Sequence, residues 1–326
     1  MKTNRRTWGA AMALLTAAAT LTLPSAHAQD WPNQPIKLVV PYAAGGPTDA
    51  IARLLATKLG ESLGKPVVVD NRAGAGGIIG VEATAKAQPD GYTLALIAPG
   101  PLAGMPNLMK APYTLDDVQY LTVVARIPSV IVVNSKSGMH TLDDLIKKAK
   151  AAPGKLAYSS AGPGTTPHIG MELFKDQAAV DLLHVPYKGA APAVTALLAG
   201  EVDATMVDLL PVLPHVGSGA FTVLAVAGPE RAPQLPHVPT THEQGLKGVS
   251  METTYGLIAP KGLPAAIANK VREAAVAAVN APEMKQTFLK QGAIPATSTS
   301  DEYRQLMAAE SQKWKGIITK SKITLE

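Results

Sequence analysis

The stretch "LVVPYAAGGPTDAIARLLATKL", Leu38 to Leu59, decides how the chain is read. Its first residues are apolar, small residues follow Pro41, and then Ile51, Leu54, Leu55, Leu59 and Leu63 recur every three or four positions. A strand therefore feeds an amphipathic helix over 47–63. Pro47 fits the first helical position, which makes Gly46 the N-cap. Glycine there supplies no capping oxygen, so the N–H groups of the first turn need an acceptor from elsewhere. Water is one acceptor. A bound carboxylate is another, favoured by the helix dipole. Asp49 stands four residues before Arg53, the spacing of a helix salt bridge. It also lies on the mouth side, where it can accept from a ligand hydroxyl, an amine or water.

The alternation continues along the chain. Strand-like runs lie at 36–40, 67–70, 92–98, 121–127, 130–134, 156–160, 182–187, 203–207 and 221–227. Helical patterns lie at 78–87, 141–151, 166–179, 190–200, 264–280 and 299–318. Several runs are nearly all apolar, as strands buried on both faces of a parallel sheet are. The order predicts an α/β fold with right-handed crossovers. The Pro-rich stretch over 227–245 reads as a surface connection. Two "TLDD" segments, Thr114–Asp117 and Thr141–Asp144, read as helix capping boxes rather than paired catalytic acids.

A second glycine-rich mouth follows another strand, at "YSSAGPGTTPH", 158–168. Ser159 and Ser160 offer hydroxyls, Gly162 and Gly164 expose backbone, and Thr165 or Thr166 opens the next helix. Two such mouths more than 100 residues apart suit a cleft between two α/β lobes.

Composition narrows the field. The chain opens with a basic segment (Lys2, Arg5, Arg6), an apolar alanine-rich run and "Ala26-His27-Ala28", the pattern of a signal peptide cut after Ala28. Arg5-Arg6 fits either ordinary or twin-arginine export. The first 28 residues hold three of the 30 basic residues and none of the 25 acidic ones, so 27 against 25 leaves +2. That balance gives no argument for nucleic acid, and aromatics, at 4%, are too few for a base-stacking surface. With no cysteine, the exported chain uses no disulfides. The expected location is the periplasm.

Enzyme motifs fail. In "NRAGAGGIIG" (71–80) Ile79 stands where a dinucleotide loop needs its third glycine. "HEQGL" (242–246) has Leu246 in place of the second zinc-binding histidine. Neither serine sits in a Gly-x-Ser-x-Gly elbow. A serine hydrolase using Ser159 or Ser160 with His168 is the alternative reading, and a non-catalytic envelope adaptor a third. No metal and no cofactor is expected.

"WPNQPIKLVVPYAAGGPTDAIAR", "VVVDNRAGAGGIIGVEATAKAQPDGYTL", "KLAYSSAGPGTTPHIGMELF", "HVPYKGAAPAVTALLAGEVDA" and the "APKGLP" turn together resemble the Bug family. These are the periplasmic receptors of tripartite tricarboxylate transporters. The resemblance runs in order along the chain after its signal. It implies a two-lobed, Venus-flytrap α/β fold with a mainly parallel sheet flanked by helices in each lobe. The implied lobes are 29–128 with 253–326, and 129–252, with crossing strands near 125–130 and 251–256. It implies a small organic carboxylate as ligand and inner-membrane transporter subunits or a sensor as partners. Carried over, the binding residues are Tyr42, Ala43, Ala44, Gly45, Gly46, Thr48 and Asp49 in one loop. Ser159, Ser160, Ala161, Gly162, Gly164, Thr165 and His168 form the other, with Asp208 after a later strand. Tyr42 stands where many members have phenylalanine. Arg72 is the only arginine near either loop that could clamp a carboxylate. A monomer is expected.

Overall fold

Strand β1 (Ile36–Val40) buries every residue but Lys37, because it lies inside a sheet covered on both faces. It pairs in parallel with β2 (Val67–Asn71) and with β3 (Thr93–Ile97). The computed structural model describes residues 31–320 and 323–324; the expected signal peptide, 1–28, lies outside them. Helix α1 (Pro47–Leu63) begins with Gly46 as N-cap and Pro47 in its first turn, and ends at the left-handed Gly64. Its apolar stripe buries Ile51, Leu55, Leu59 and Leu63. Helix α2 (Ile78–Ala85) follows β2 through a run of glycines.

The chain then enters β4 (Val118–Asn134), a single strand of 17 residues where the sequence suggests two. Two features hide its continuity. Leu121 and Val124 are extra residues at irregularities in the pairing with β9 (Glu252–Pro260), so alternation is lost and both turn into the core. Pro128 and Ser129 then mark the point where β4 changes partners. Up to Pro128 it pairs with β9; from Ser129 it pairs antiparallel with β7 (Ala204–Asp208) and, from Val130, with β8 (Phe221–Val226).

Beyond this point lies a second parallel set, β7 beside β5 (Ala157–Ser160) beside β6 (Leu183–Pro186). The strand order is β2-β1-β3-β9-β4-β7-β5-β6, and the short β10 (Ile294–Pro295) also pairs with β4. Each half thus has a parallel core, and antiparallel crossing strands join the halves. Helices α3 (Leu142–Ala151), α4 (Thr166–Ala178), α5 (Ala190–Ala199) and α6 (Leu209–Gly217) belong to the second half. Helices α7 (Ala265–Asn280), α8 (Pro282–Lys290) and α9 (Ser300–Lys320) follow β9. Both "TLDD" segments close as capping boxes, Thr114 with Asp117 and Thr141 with Asp144. The Pro-rich connection carries no helix, but it is not only surface: Ala232, Leu235, Val238, Thr240 and Thr241 are buried.

Helix α9 packs on both halves. Tyr303 and Met307 join the core beside β3 and β9, while Trp314 and Ile318 join the core formed by α3, α4 and β5. Trp314 is fully buried, its indole N–H donates to Glu310 at 2.8 Å, and its ring fills the space a side chain at Gly104 would need. Truncating a buried tryptophan removes transfer energy and leaves a cavity. Trp314→Ala is expected to lower stability by roughly 3–5 kcal/mol, read as an earlier urea midpoint; a midpoint unchanged from the parent would refute the bridging role of α9.

Candidate functional site

The two halves enclose a cavity at the carboxyl ends of their parallel strands. The first half contributes Tyr42 after β1, Gly46, Pro47 and Thr48 at the start of α1, and Ala98 after β3. The second contributes Ala161 after β5, Thr165, Thr166 and Pro167 at the start of α4, Ala190 at the start of α5, and Val207 and Asp208 at the end of β7. Thr253 and Tyr255, two apart on β9 and so on one face, complete the wall.

Four helices therefore begin at this cavity: α1, α4, α5 and α6. None has its N-terminus capped by a side chain. Each presents partial positive charge and unsatisfied N–H groups. Thr166 adds a hydroxyl that is buried, lines the cavity and has no hydrogen-bond partner. A buried polar group without a partner is unfavourable, and a ligand oxygen would satisfy it. Among the described residues no Lys, Arg or His lines the cavity.

Asp208 is the exception to this positive character. It is 3% exposed. Thr253 donates its hydroxyl to Oδ1 at 2.7 Å and Ser129 to the same oxygen at 3.5 Å, while the Tyr255 hydroxyl donates to Oδ2. Burial raises the carboxyl from 3.8 to about 6, against the pull of the three hydroxyls. Burial also raises the Tyr42 and Tyr255 phenols, which stay protonated as donors.

Of the residues expected from sequence, Tyr42, Gly46, Thr48, Ala161, Thr165 and Asp208 meet at the cavity. Others build the loops instead. Asp49 binds Arg53 through both oxygens (2.9 and 3.0 Å) and accepts from the Gly45 N–H and from Asn71. Burial alone would raise its carboxyl, and these bonds outweigh it and hold it low. Asp49 is thus engaged within the turn that precedes α1 and is not among the residues lining the cavity. Ala43 donates its N–H across to the Lys188 carbonyl at 3.2 Å, and Ala44 and Gly45 are exposed. Gly162 and Gly164 are held by turns, through Ser160, Thr165 and His168. Arg72 donates to Asp70 and is no clamp.

The serine–histidine pairing of the hydrolase reading is not formed. The Ser159 hydroxyl donates to the Ala193 carbonyl at 3.1 Å, and His168 Nδ1 accepts the Gly164 N–H at 3.0 Å. Ser160 does bond a histidine, but it is His184 Nε2 at 2.7 Å, and Ser160 is fully buried away from the cavity. His184 stacks on His168 with centroids 4.2 Å apart. Burial lowers His168 from 6.5 to about 4 and His184 to about 3, each also repelled by a neighbouring cation or imidazole.

Thr166, Thr253 and Tyr255 escaped the reading of the sequence. Thr166 was legible only as one of two ways to open α4. The other two sit in "METTYG", whose alternation marks a strand but says nothing of what it faces.

These shifts oppose one another in acid. Folded Asp208 holds more protons than the unfolded chain between 3.8 and about 6, so its penalty is full above pH 6 and gone below 3.8. The histidines hold fewer, so their contribution is full above 6.5 and fades as the pH falls toward 4 and 3. Asp208→Asn mimics the protonated acid. It should stabilise the ligand-free protein at pH 7 by up to about 3 kcal/mol, and its stability should fall more steeply than the parent's between pH 6.5 and 4. Parallel denaturation curves across that range would contradict the assignment.

Comparison with known proteins agrees with this architecture. A profile described as "Tripartite tricarboxylate transporter family receptor" matches residues 51–323. Protein BugT of Bordetella pertussis is 38% identical over 312 residues, 95% of each chain. The solved periplasmic binding protein BugD is 31% identical with a TM-score of 0.87, covering 91% of this chain and 100% of its own. An R. palustris protein solved with adipate is 32% identical with a TM-score of 0.87, covering 90% and 99%. Its two halves, its crossing strands and the cleft between them are those of a periplasmic-binding-protein fold, and the chain belongs to the family of tripartite tricarboxylate transporter receptors.

Proposed function

We propose that the protein captures a small organic carboxylate between its lobes in the periplasm and presents it to inner-membrane transporter subunits or a sensor. The observation that carries this reading is the meeting of four uncapped helix N-termini and the unpartnered Thr166 hydroxyl at one enclosed cavity. A carboxylate supplies the acceptors these groups lack. The adipate bound by the R. palustris relative is a ligand of this class. The lobes are 29–128 with 253–326, and 129–252, and they swing about the crossings near 125–130 and 251–256. Residues 1–28 direct export and are removed after Ala28. The protein works as a monomer, since opening and closing need free lobes.

Thermal unfolding against mono-, di- and tricarboxylates tests the reading. A ligand at about 100 times its dissociation constant stabilises the folded state by roughly 2.7 kcal/mol, an upward shift of several degrees at about 2–4 °C per kcal/mol. Gly45, at φ +85° with Ala191 of the other lobe 3.6 Å from where its Cβ would be, sets the turn before α1. Gly45→Val should abolish the shift while leaving a cooperative melt. A flat response to every acid, or full binding by the variant, would count against the proposal.

A further inference from the structure

The cavity wall carries two opposed electrical features. One is the set of N-termini of α1, α4 and α5 with the Thr166 hydroxyl, suited to a carboxylate. The other is Asp208, the N-cap residue of α6, an acid lining the same cavity with no basic side chain among the lining residues. The nearest ion pair on the crossing strands, Arg126 with Glu252 at 3.4 Å, is partly exposed and satisfies itself. A carboxylate has about four acceptor sites, and Ser129, Thr253 and Tyr255 use three. One site remains, and among the described residues no cation fills it.

We infer that Asp208 determines specificity, selecting ligands whose carboxylate is accompanied by a hydrogen-bond donor, an ammonium or hydroxyl on the neighbouring carbon. This rests on the carboxylate-receptor reading above and narrows its substrate class to 2-amino and 2-hydroxy acids. The reason is electrostatic. A bare carboxylate brings a second anion beside Asp208 in a site shielded from water, and like charges there disfavour each other. A donor on the next carbon points the ligand's positive or polar edge at Asp208 and fills the open acceptor. The same ligand then matches both features of the wall, its carboxylate toward the N-termini of α1, α4 and α5 and its donor toward the acid. Those N-termini account for a carboxylate alone; only the acid at the start of α6 calls for the donor beside it.

Matched series of acids test this by titration calorimetry on the purified protein: alanine, lactate and propionate; aspartate, malate and succinate; phenylglycine, mandelate and phenylacetate. Members of a series differ in the donor and little else. In a series that binds, the amino or hydroxy acid should bind at least about tenfold tighter than its donor-free partner. The amino and hydroxy arms tell which donor the site takes. Asp208→Asn should shrink the ratio to near one, chiefly by improving binding of the donor-free acid. A donor-free acid that binds the parent protein as tightly as its partners overturns the inference, and so does an Asp208→Asn variant that keeps the ratio. The comparison on the parent stands even if the variant fails to fold. Binding by none of the nine acids overturns the narrowing to 2-amino and 2-hydroxy acids; the carboxylate reading itself falls only if the thermal panel of mono-, di- and tricarboxylates is flat as well, an outcome distinct from binding without discrimination.

Discussion

The Asp208 carboxyl holds hydroxyls from both segments that join the lobes. Ser129 lies where β4 passes from one half of the sheet to the other, and Thr253 and Tyr255 lie where β9 returns. Asp208 itself ends β7, the strand of the second half that pairs with β4. A buried carboxylate without a cation is unfavourable unless hydrogen bonds replace its water. The three hydroxyls are that replacement, and they pin the crossings to the base of the cavity. The crossing strands and the floor of the site are therefore one object. Among the described residues, Asp208 thus contacts both places where the sheet passes between halves, on β4 and on β9.

Above that floor the lobes meet main chain against main chain. A Cβ on Gly76 would stand 2.5 Å from the Pro163 carbonyl, one on Gly100 3.0 Å from the Thr165 Cα, and one on Gly104 2.8 Å from the Gly164 carbonyl. Ala43 completes the seam with its hydrogen bond to the Lys188 carbonyl. Only residues this small allow such an approach, and the approach is what brings helices from opposite lobes to one point. The glycine loops thus do more than leave helix ends bare: they let bare ends from two lobes share a cavity.

What sequence revealed and what it hid divides along the same line. The β1–α1 unit was readable to the residue, because its strand, turn and helix are set by local rules: a buried apolar run, proline after an N-cap glycine, and a stripe at helical spacing. The capping boxes were readable for the same reason. Strand β4 looked like two strands because its irregular pairing and Pro128 depend on partners far away in sequence. Helix α6 was missed because Pro211 and Pro214 argue locally against it, although its first turn tolerates a proline. In the site, Tyr42, Gly46, Thr48, Thr165 and Asp208 were found from loops and family likeness, whereas Thr253 and Tyr255 face the cavity only because β9 lies beside β4. Ser160 and His184 are paired by the parallel register of β5 and β6, a contact no local motif announces.

A site that meets a carboxylate with helix termini instead of arginine has a further physical consequence. Main-chain N–H groups attract charge but carry no side chain that distinguishes one acid from another. Each helix end contributes on the order of 0.3–1 kcal/mol, more when buried, and four of them share the work. Discrimination then falls to the remaining wall: the Tyr42 and Tyr255 phenols, the small Ala98, Ala161 and Ala190, Val207, and the acid at Asp208. Tyr42, Ala98, Ala161, Ala190 and Val207 can change without disturbing the glycine turns that aim the helices, because none of them caps a helix with its side chain, whereas Tyr255 and Asp208 also hold the crossing strands. The charge of the ligand is read by the fold and its shape by a few side chains. One architecture can in this way serve many acids, with the buried carboxyl of Asp208 as the feature in this chain that most restricts the choice.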